Sequence, residues 1–176
     1  MKNILFLKLW LAISDRLDAL YAHLLRNYLR YILLVLCYAA FAQRYELSIN
    51  VSESLPGVLY LVEKGKLPSK GEYVSFYYPS DFIYPKGVRF LKRVVGVEGD
   101  VVRARSHHFF VNDQDVGYAL GTTSSGKPIQ ENSFEGVIPL GHYYVKGDHP
   151  LSLDSRYQAC GLITNQIIVG RGFRVL

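Results

Sequence analysis

Two side chains in this sequence are spaced and surrounded so that one could take a proton from the other. Ser54 stands in Ser54-Leu55-Pro56, and Lys92 in Val88-Arg89-Phe90-Leu91-Lys92-Arg93-Val94-Val95. A serine hydroxyl keeps its proton at neutral pH and becomes a useful nucleophile only when a base removes it. Histidine is the usual base, but an amine serves if its pKa is low enough to leave it neutral. Strand alternation puts Val88, Phe90, Lys92 and Val94 on one face and Arg89 and Arg93 on the other. A lysine on an apolar face loses hydration of its charged form, and burial depresses a lysine pKa by up to several units. The same lysine also fits a stem that passes its apolar neighbours to leave the ammonium in water. Ser-Leu-Pro alone also fits an ordinary loop. From these residues by themselves both readings stand.

The elements that must position this pair fall into two parts. From about residue 3 to 42 the spacing predicts helix, with Phe6, Trp10, Ile13, Leu17, Leu20, Leu24 and Tyr28 at three- and four-residue steps. The twelve residues from Tyr31 to Ala42 carry no charge. As helix they span only about 18 Å against a hydrocarbon core of about 30 Å. Adding Asn27 to Arg30, with Arg26 and Arg30 snorkelling, brings the segment close to spanning length. Lys2, Lys8, Arg16, Arg26 and Arg30 all precede the apolar run, which favours a cytoplasmic N-terminus. A buried amphipathic hairpin in a soluble protein remains open. So does a signal peptide cut after the small-x-small Ala40-Phe41-Ala42, leaving Gln43 first. The long charged stretch ahead of the run argues for an uncleaved anchor.

After residue 43 the pattern changes to short strands and turns. Strands are expected at 58–62, 72–76, 89–95, 100–103, 109–111, 143–145 and 166–175, with an aromatic loop at 77–85 and a polar loop at 117–132. The expected fold class is mainly β: an N-terminal helix or transmembrane anchor over 1–43, then one compact β domain over 44–176. A formal charge of +5 over 176 residues, without a basic block, does not call for nucleic acid. Cys37 and Cys160 give no disulfide framework, and the five histidines show no metal-ligand spacing.

Three segments, in order, resemble the membrane-bound signal peptidase family with a Ser/Lys dyad. They are Asn50-Val51-Ser52-Glu53-Ser54-Leu55-Pro56, Phe90 through Asp100, and Gly147-Asp148-His149-Pro150-Leu151-Ser152-Leu153-Asp154-Ser155-Arg156-Tyr157. The similarity covers about residues 26 to 176 and is strongest to the conjugation branch, the TraF-type pilin-processing peptidases. General members read Ser-Met-x-Pro, where this chain has Leu55 and then Pro56. Two further departures are Gly57 directly after the proline and a closing motif one residue short.

The resemblance implies a signal-peptidase-like β domain with Ser54 as acylating nucleophile and Lys92 as general base. It implies an oxyanion hole from the Ser52 hydroxyl and the Ser54 backbone N–H, Ser152 as the group orienting the lysine, and a supporting ion pair of Asp154 and Arg156 joined by Arg93. No metal or organic cofactor is expected. The expected partners are a membrane-inserted precursor such as a propilin and the lipid bilayer, with no nucleic acid. The expected site of action is the outer face of the bacterial inner membrane, with a single span and a periplasmic catalytic domain. Two other functions remain open, a non-enzymatic bitopic subunit of a transfer apparatus and a self-cleaving repressor-type Ser/Lys peptidase. Against the second, no Ala-Gly or Cys-Gly dipeptide precedes Ser54.

Overall fold

The computed structural model describes residues 2–123 and 126–176, so Ser124 and Ser125 of the polar loop lie outside the described residues. Its contacts divide into two units, Met1–Gln43 and Arg44–Leu176. The first is helix. A single α1 runs from Lys2 to Arg44, and its stretch Trp10–Arg44 is long and apolar enough to cross a membrane. No glycine or proline interrupts it, which is why one helix continues through both the amphipathic part and the uncharged run.

The second unit is mainly β, in two sheets. The larger has seven strands. They are β1 (Tyr45–Ile49), β2 (Leu59–Lys64), β3 (Tyr73–Tyr77), β4 (Arg89–Gly96), β9 (His142–Lys146), β10 (Ile163–Thr164) and β11 (Ile168–Arg174), in the order β1-β2-β11-β3-β4-β9-β10. The smaller has the order β7-β6-β5-β8, from β5 (Val101–Arg105), β6 (His108–Val111), β7 (Gln114–Tyr118) and β8 (Gly136–Val137). All pairings are antiparallel, as short connections between successive strands allow.

Side-chain alternation along β4 decides where the chemistry sits. Lys92, Val94 and Gly96 point inward, while the odd-numbered residues are only half-buried. Lys92 lies opposite Val74 of β3, and Val94 opposite Val145 of β9. Val74, Phe76, Val94, Val145, Cys160 and Ile163 form one apolar cluster, and Val102, Phe109, Val111, Ile138, Tyr144 and Tyr157 belong to a second. Phe90 packs against both. The larger sheet curls strongly. Arg89 on β4 reaches Glu46 on β1 at 2.9 Å although three strands separate them in the ladder, so the outer edge of β1 faces β4.

The expected strand over 166–175 is shorter than the spacing suggests. Asn165–Ile167 is a 3-10 turn that carries the chain from β10, next to β9, across to β11 between β2 and β3. The sequence reading also missed β1, β7, β8 and β10. β6 and β7 are joined by the two-residue turn Asn112-Asp113, both at positive φ (50° and 64°), a hairpin geometry that asparagine and aspartate tolerate. Much of the polar loop after β7 is tied down. Ile129 N–H donates to Gly121 O at 3.0 Å, and Glu131 bridges to Tyr157.

Candidate active site

Ser54 sits in the loop joining β1 to β2, and an asparagine builds that loop. Asn50 N–H donates to Val58 O at 2.8 Å, closing the loop at its base. Its Nδ2 donates to Leu55 O (3.0 Å) and Gly57 O (3.1 Å), which fixes the amide orientation and leaves Oδ1 as acceptor. That oxygen accepts from the Ser52 hydroxyl at 3.2 Å. Tyr60 Oη donates to Pro56 O, and buried Leu55 pins the turn to the core. Gly57 has φ +100°, and a Cβ there would come within 2.7 Å of Arg174 Nε, so the glycine directly after Pro56 is a geometric requirement of this loop. Half-buried Ser54 then places its Oγ 2.9 Å from Ser52 Oγ. Because the Ser52 hydrogen is directed at Asn50, Ser54 is the donor of that pair.

Lys92 is buried at 5% exposure, with its Nζ 5.4 Å from the centre of the Phe90 ring. Nζ donates to Ser152 Oγ at 2.7 Å. Burial lowers the pKa of this amine below its ordinary 10.5, and the field of Asp154 is the largest effect opposing the shift. Among the described residues, Ser54 Oγ and Lys92 Nζ make no hydrogen bond to each other. Both line one cleft of about 610 Å³, together with Ser52 and Ser152.

The segment from Gly147 to Arg156 holds the two sides of this cleft together. Asp148 N–H donates to Ser54 O at 2.7 Å, and Gly147 N–H to Asp154 Oδ2 at 2.9 Å. Gly147 lies so close to its neighbours that a Cβ would overlap the Ser152 side chain and come within 3.1 Å of Ser54 O. Asp154 and Arg156 are buried together, with Arg156 Nε and Nη2 each 2.8 Å from an oxygen of the carboxylate. Nη1 donates to Tyr118 O at 2.7 Å, and the second Nη2 hydrogen is shared between Pro150 O and Ser152 O, each at 3.3 Å. A buried pair survives only when its lone pairs and protons are satisfied in this way.

Arg93 is not part of that cluster, contrary to the expectation. It projects from the other face of β4, stacks 4.8 Å over the Tyr73 ring and meets Asp148 at 3.3 Å. Alternation along the strand puts it on the face away from Lys92, and it meets the 147–156 segment at Asp148 rather than at the buried pair. Asn50, Gly147 and Asp148 were given no role from sequence, although all three lie inside the recognised segments. Only the fold shows that Asn50 braces the loop and that the 147–148 backbone reaches Ser54.

A second cavity of about 750 Å³ is bordered by Pro79, Phe82, Ile129 and Cys160, with Ser80, Gln130 and Gln158 as its polar side chains. Burial pushes the Cys160 thiol well above its usual range. Among the described residues no group of three or more His, Cys, Asp or Glu is placed to hold a metal ion.

A serine on a braced turn and a buried amine held by a second serine share one cleft on a β domain that follows an apolar N-terminal helix. Over residues 22–176 the chain matches the family described as signal peptidase, peptidase S26, and it belongs to that family. It is 31% identical to signal peptidase I of Pseudomonas fluorescens over 142 residues, covering 61% of this chain and 49% of that protein. Signal peptidase I U of Bacillus subtilis is 33% identical over 91 residues, covering 48% of each. The chain thus spans about half the length of the curated relatives it matches. A crystal structure of a signal peptidase I from Enterococcus faecalis V583 aligns with 60% of this chain and 96% of its own, at 24% identity and a TM-score of 0.40.

A lowered lysine pKa makes stability depend on pH in a definite direction. Between the folded-state pKa and 10.5 the unfolded chain binds one more proton than the folded one, so stability rises with pH across that window. Lys92→Met removes this term. Chemical denaturation at several pH values should show wild type gaining on the variant as pH rises toward 10.5. A difference that does not vary with pH would mean that the amine is charged in the folded domain.

Proposed function

We propose that the chain is a membrane-anchored serine endopeptidase that cleaves a membrane-inserted precursor through Ser54 and Lys92. The observation that carries this reading is the buried Lys92 amine, held by Ser152 at 2.7 Å on the cleft that also contains Ser54. Rotation of the Ser54 side chain from Ser52 toward the amine prepares the attack. Neutral Lys92 takes the Ser54 proton as Oγ adds to the scissile carbonyl. The resulting oxyanion is met by the Ser54 backbone N–H and by the Ser52 hydroxyl, once that hydroxyl turns from Asn50. Such donors act where negative charge develops. The ammonium then protonates the departing amine, and Lys92 returns to the neutral form that activates water for release of the acyl group.

The substrate enters as an extended strand. β1 pairs with β2 alone among the described strands, so its outer edge, facing β4, is open to one more strand. Ile49 and Val51 stand exposed along that edge and suit an apolar precursor. The short Ser54-Leu55-Pro56 form supports a place in the conjugation branch, with a propilin or similar precursor carrying a small residue before the cleaved bond. The five basic residues ahead of Tyr31 support a cytoplasmic N-terminus and a catalytic domain on the outer face of the bacterial inner membrane.

Two measurements test this. In the detergent-solubilised protein, Ser54→Ala should lose at least about 10³-fold in kcat/KM on a precursor peptide, and Lys92→Arg should be as inactive as Lys92→Ala. Wild-type activity should rise with pH through the lowered lysine pKa, because the deprotonated form is the working one. Substantial turnover by Lys92→Arg would assign the base to another group.

A reporter fused after Leu176 should be active outside the cytoplasm only. Activity in the cytoplasm would reverse the orientation.

A further inference from the structure

α1 is a continuous helix of 43 residues, about 65 Å long at 1.5 Å per residue. A bilayer accounts for roughly 30 Å of that length. If the uncharged run from Tyr31 spans the membrane, the part from Lys2 to about Arg26 stands well clear of it as the same straight helix. This part is not evenly polar. Phe6, Trp10, Ile13, Leu17, Leu20 and Leu24 follow one another at steps of 4, 3, 4, 3 and 4 residues. The same alternation continues without a break through Asn27, Tyr31, Leu34, Tyr38 and Phe41. The period is 3.5 rather than 3.6, sustained over five heptads, and this is the pattern that makes two helices supercoil with a fixed seam. All seam side chains from Phe6 to Leu24 are exposed in the single chain, Phe6 at 72% and Trp10 at 58%. The charged residues Asp15, Arg16, Asp18 and Arg26 all lie off the seam.

We infer that α1 is a dimerisation element, and that a second copy of this chain covers the seam from Phe6 to Phe41. Three observations favour a second copy over lipid or another protein. A straight helix that also spans the membrane cannot lay its first six turns on the membrane surface, so lipid does not reach the seam there. The flanking positions just ahead of Leu17, Leu24 and Tyr31 hold Arg16, His23 and Arg30, whereas those just after Ile13, Leu20 and Asn27 hold Ser14, Tyr21 and Tyr28. In a parallel pair each basic residue faces an uncharged partner, Arg16 opposite Tyr21 and His23 opposite Tyr28. In an antiparallel pair the basic rows would face each other. Parallel pairing is also the arrangement that two copies inserted in the same sense must adopt. Third, Asn27 is the one amide side chain on the seam, four residues ahead of the uncharged run. Its amide donates to His23 O at 2.8 Å and accepts from Arg30 at 3.1 Å within one helix. Opposite its own copy it would fix the register, as a lone seam asparagine does. Six large side chains from each copy would remove on the order of 1,000 Å² from water, enough for a stable interface.

The test is cysteine cross-linking of the full chain in native membranes, in a Cys37→Ser background. Single cysteines replace Ile13, Leu17, Leu20 or Leu24 on the seam, and Asp15 or Ala22 on the opposite face. With a mild oxidant the seam variants should give a disulfide-linked species of twice the 20.0 kDa chain mass, several-fold more than the opposite-face variants. Equal cross-linking on both faces would mean random collision, and cross-linking on neither would leave the seam to lipid or to another protein. Either result overturns the proposal. A second variant guards against misinsertion. Leu17→Asp combined with Leu20→Asp should abolish co-purification of two differently tagged copies while leaving each copy in the membrane fraction. Undiminished co-purification would place the contact elsewhere and overturn it equally.

Discussion

The cleft is organised around an amine buried inside a protein, where burial disfavours its charged form. Among the described residues Lys92 donates to Ser152, its amine lies near the Phe90 ring, and the Asp154 carboxylate acts on it from beyond. A lysine stem has several rotors, so the amine stays aimed only if Ser152 is itself immobile. The buried Asp154–Arg156 pair secures that. Arg156 reaches the Ser152 carbonyl, and Asp154 receives the Gly147 N–H beside it. The pair also sets the limit of the lysine shift, because the Asp154 carboxylate pulls the amine toward its charged form while burial pushes it away. Removing Asp154 would leave the Arg156 guanidinium buried without its partner, a loss of about 3–5 kcal/mol.

The same segment links Lys92 and Ser54 mechanically. Gly147 and Asp148 lie between Ser152 and the Ser54 carbonyl, and their backbones leave no room for a side chain on Gly147. Ser54 is braced from the other side by Asn50 and by Tyr60. Ser54 and Lys92 therefore sit on different elements, the β1–β2 loop and β4, yet both contact the 147–156 segment. The curl of the larger sheet, seen in the Arg89–Glu46 contact, brings those elements to one cleft.

Much of this was legible in the sequence and some was not, for identifiable reasons. The face of β4 was readable because period-2 alternation survives in Val88 to Val95, and Arg93 was misassigned by ignoring that same alternation. The long helix was readable from its three- and four-residue steps. β1 was missed because Tyr45 to Ile49 follows the helix with no glycine or proline to mark a boundary. β8 and β10 have two residues each, too short for any periodicity. Ser54, Lys92, Ser52 and Ser152 came from three ordered segments, and the structure brings all four to one cleft. Asn50 and Gly147 were invisible because their parts are played by backbone contacts across the fold, which no local pattern encodes.

Lys92 can serve as a base only if burial lets its amine lose the proton below the ordinary lysine value. The most direct test is to titrate that one group by NMR, with lysine labelled at Cε and the Lys92 resonance assigned by its loss in Lys92→Met. The account predicts a midpoint clearly below the ordinary lysine value of 10.5, moving back toward it when unfolding exposes the amine to water. A midpoint at or above 10.5 in the folded protein would contradict it.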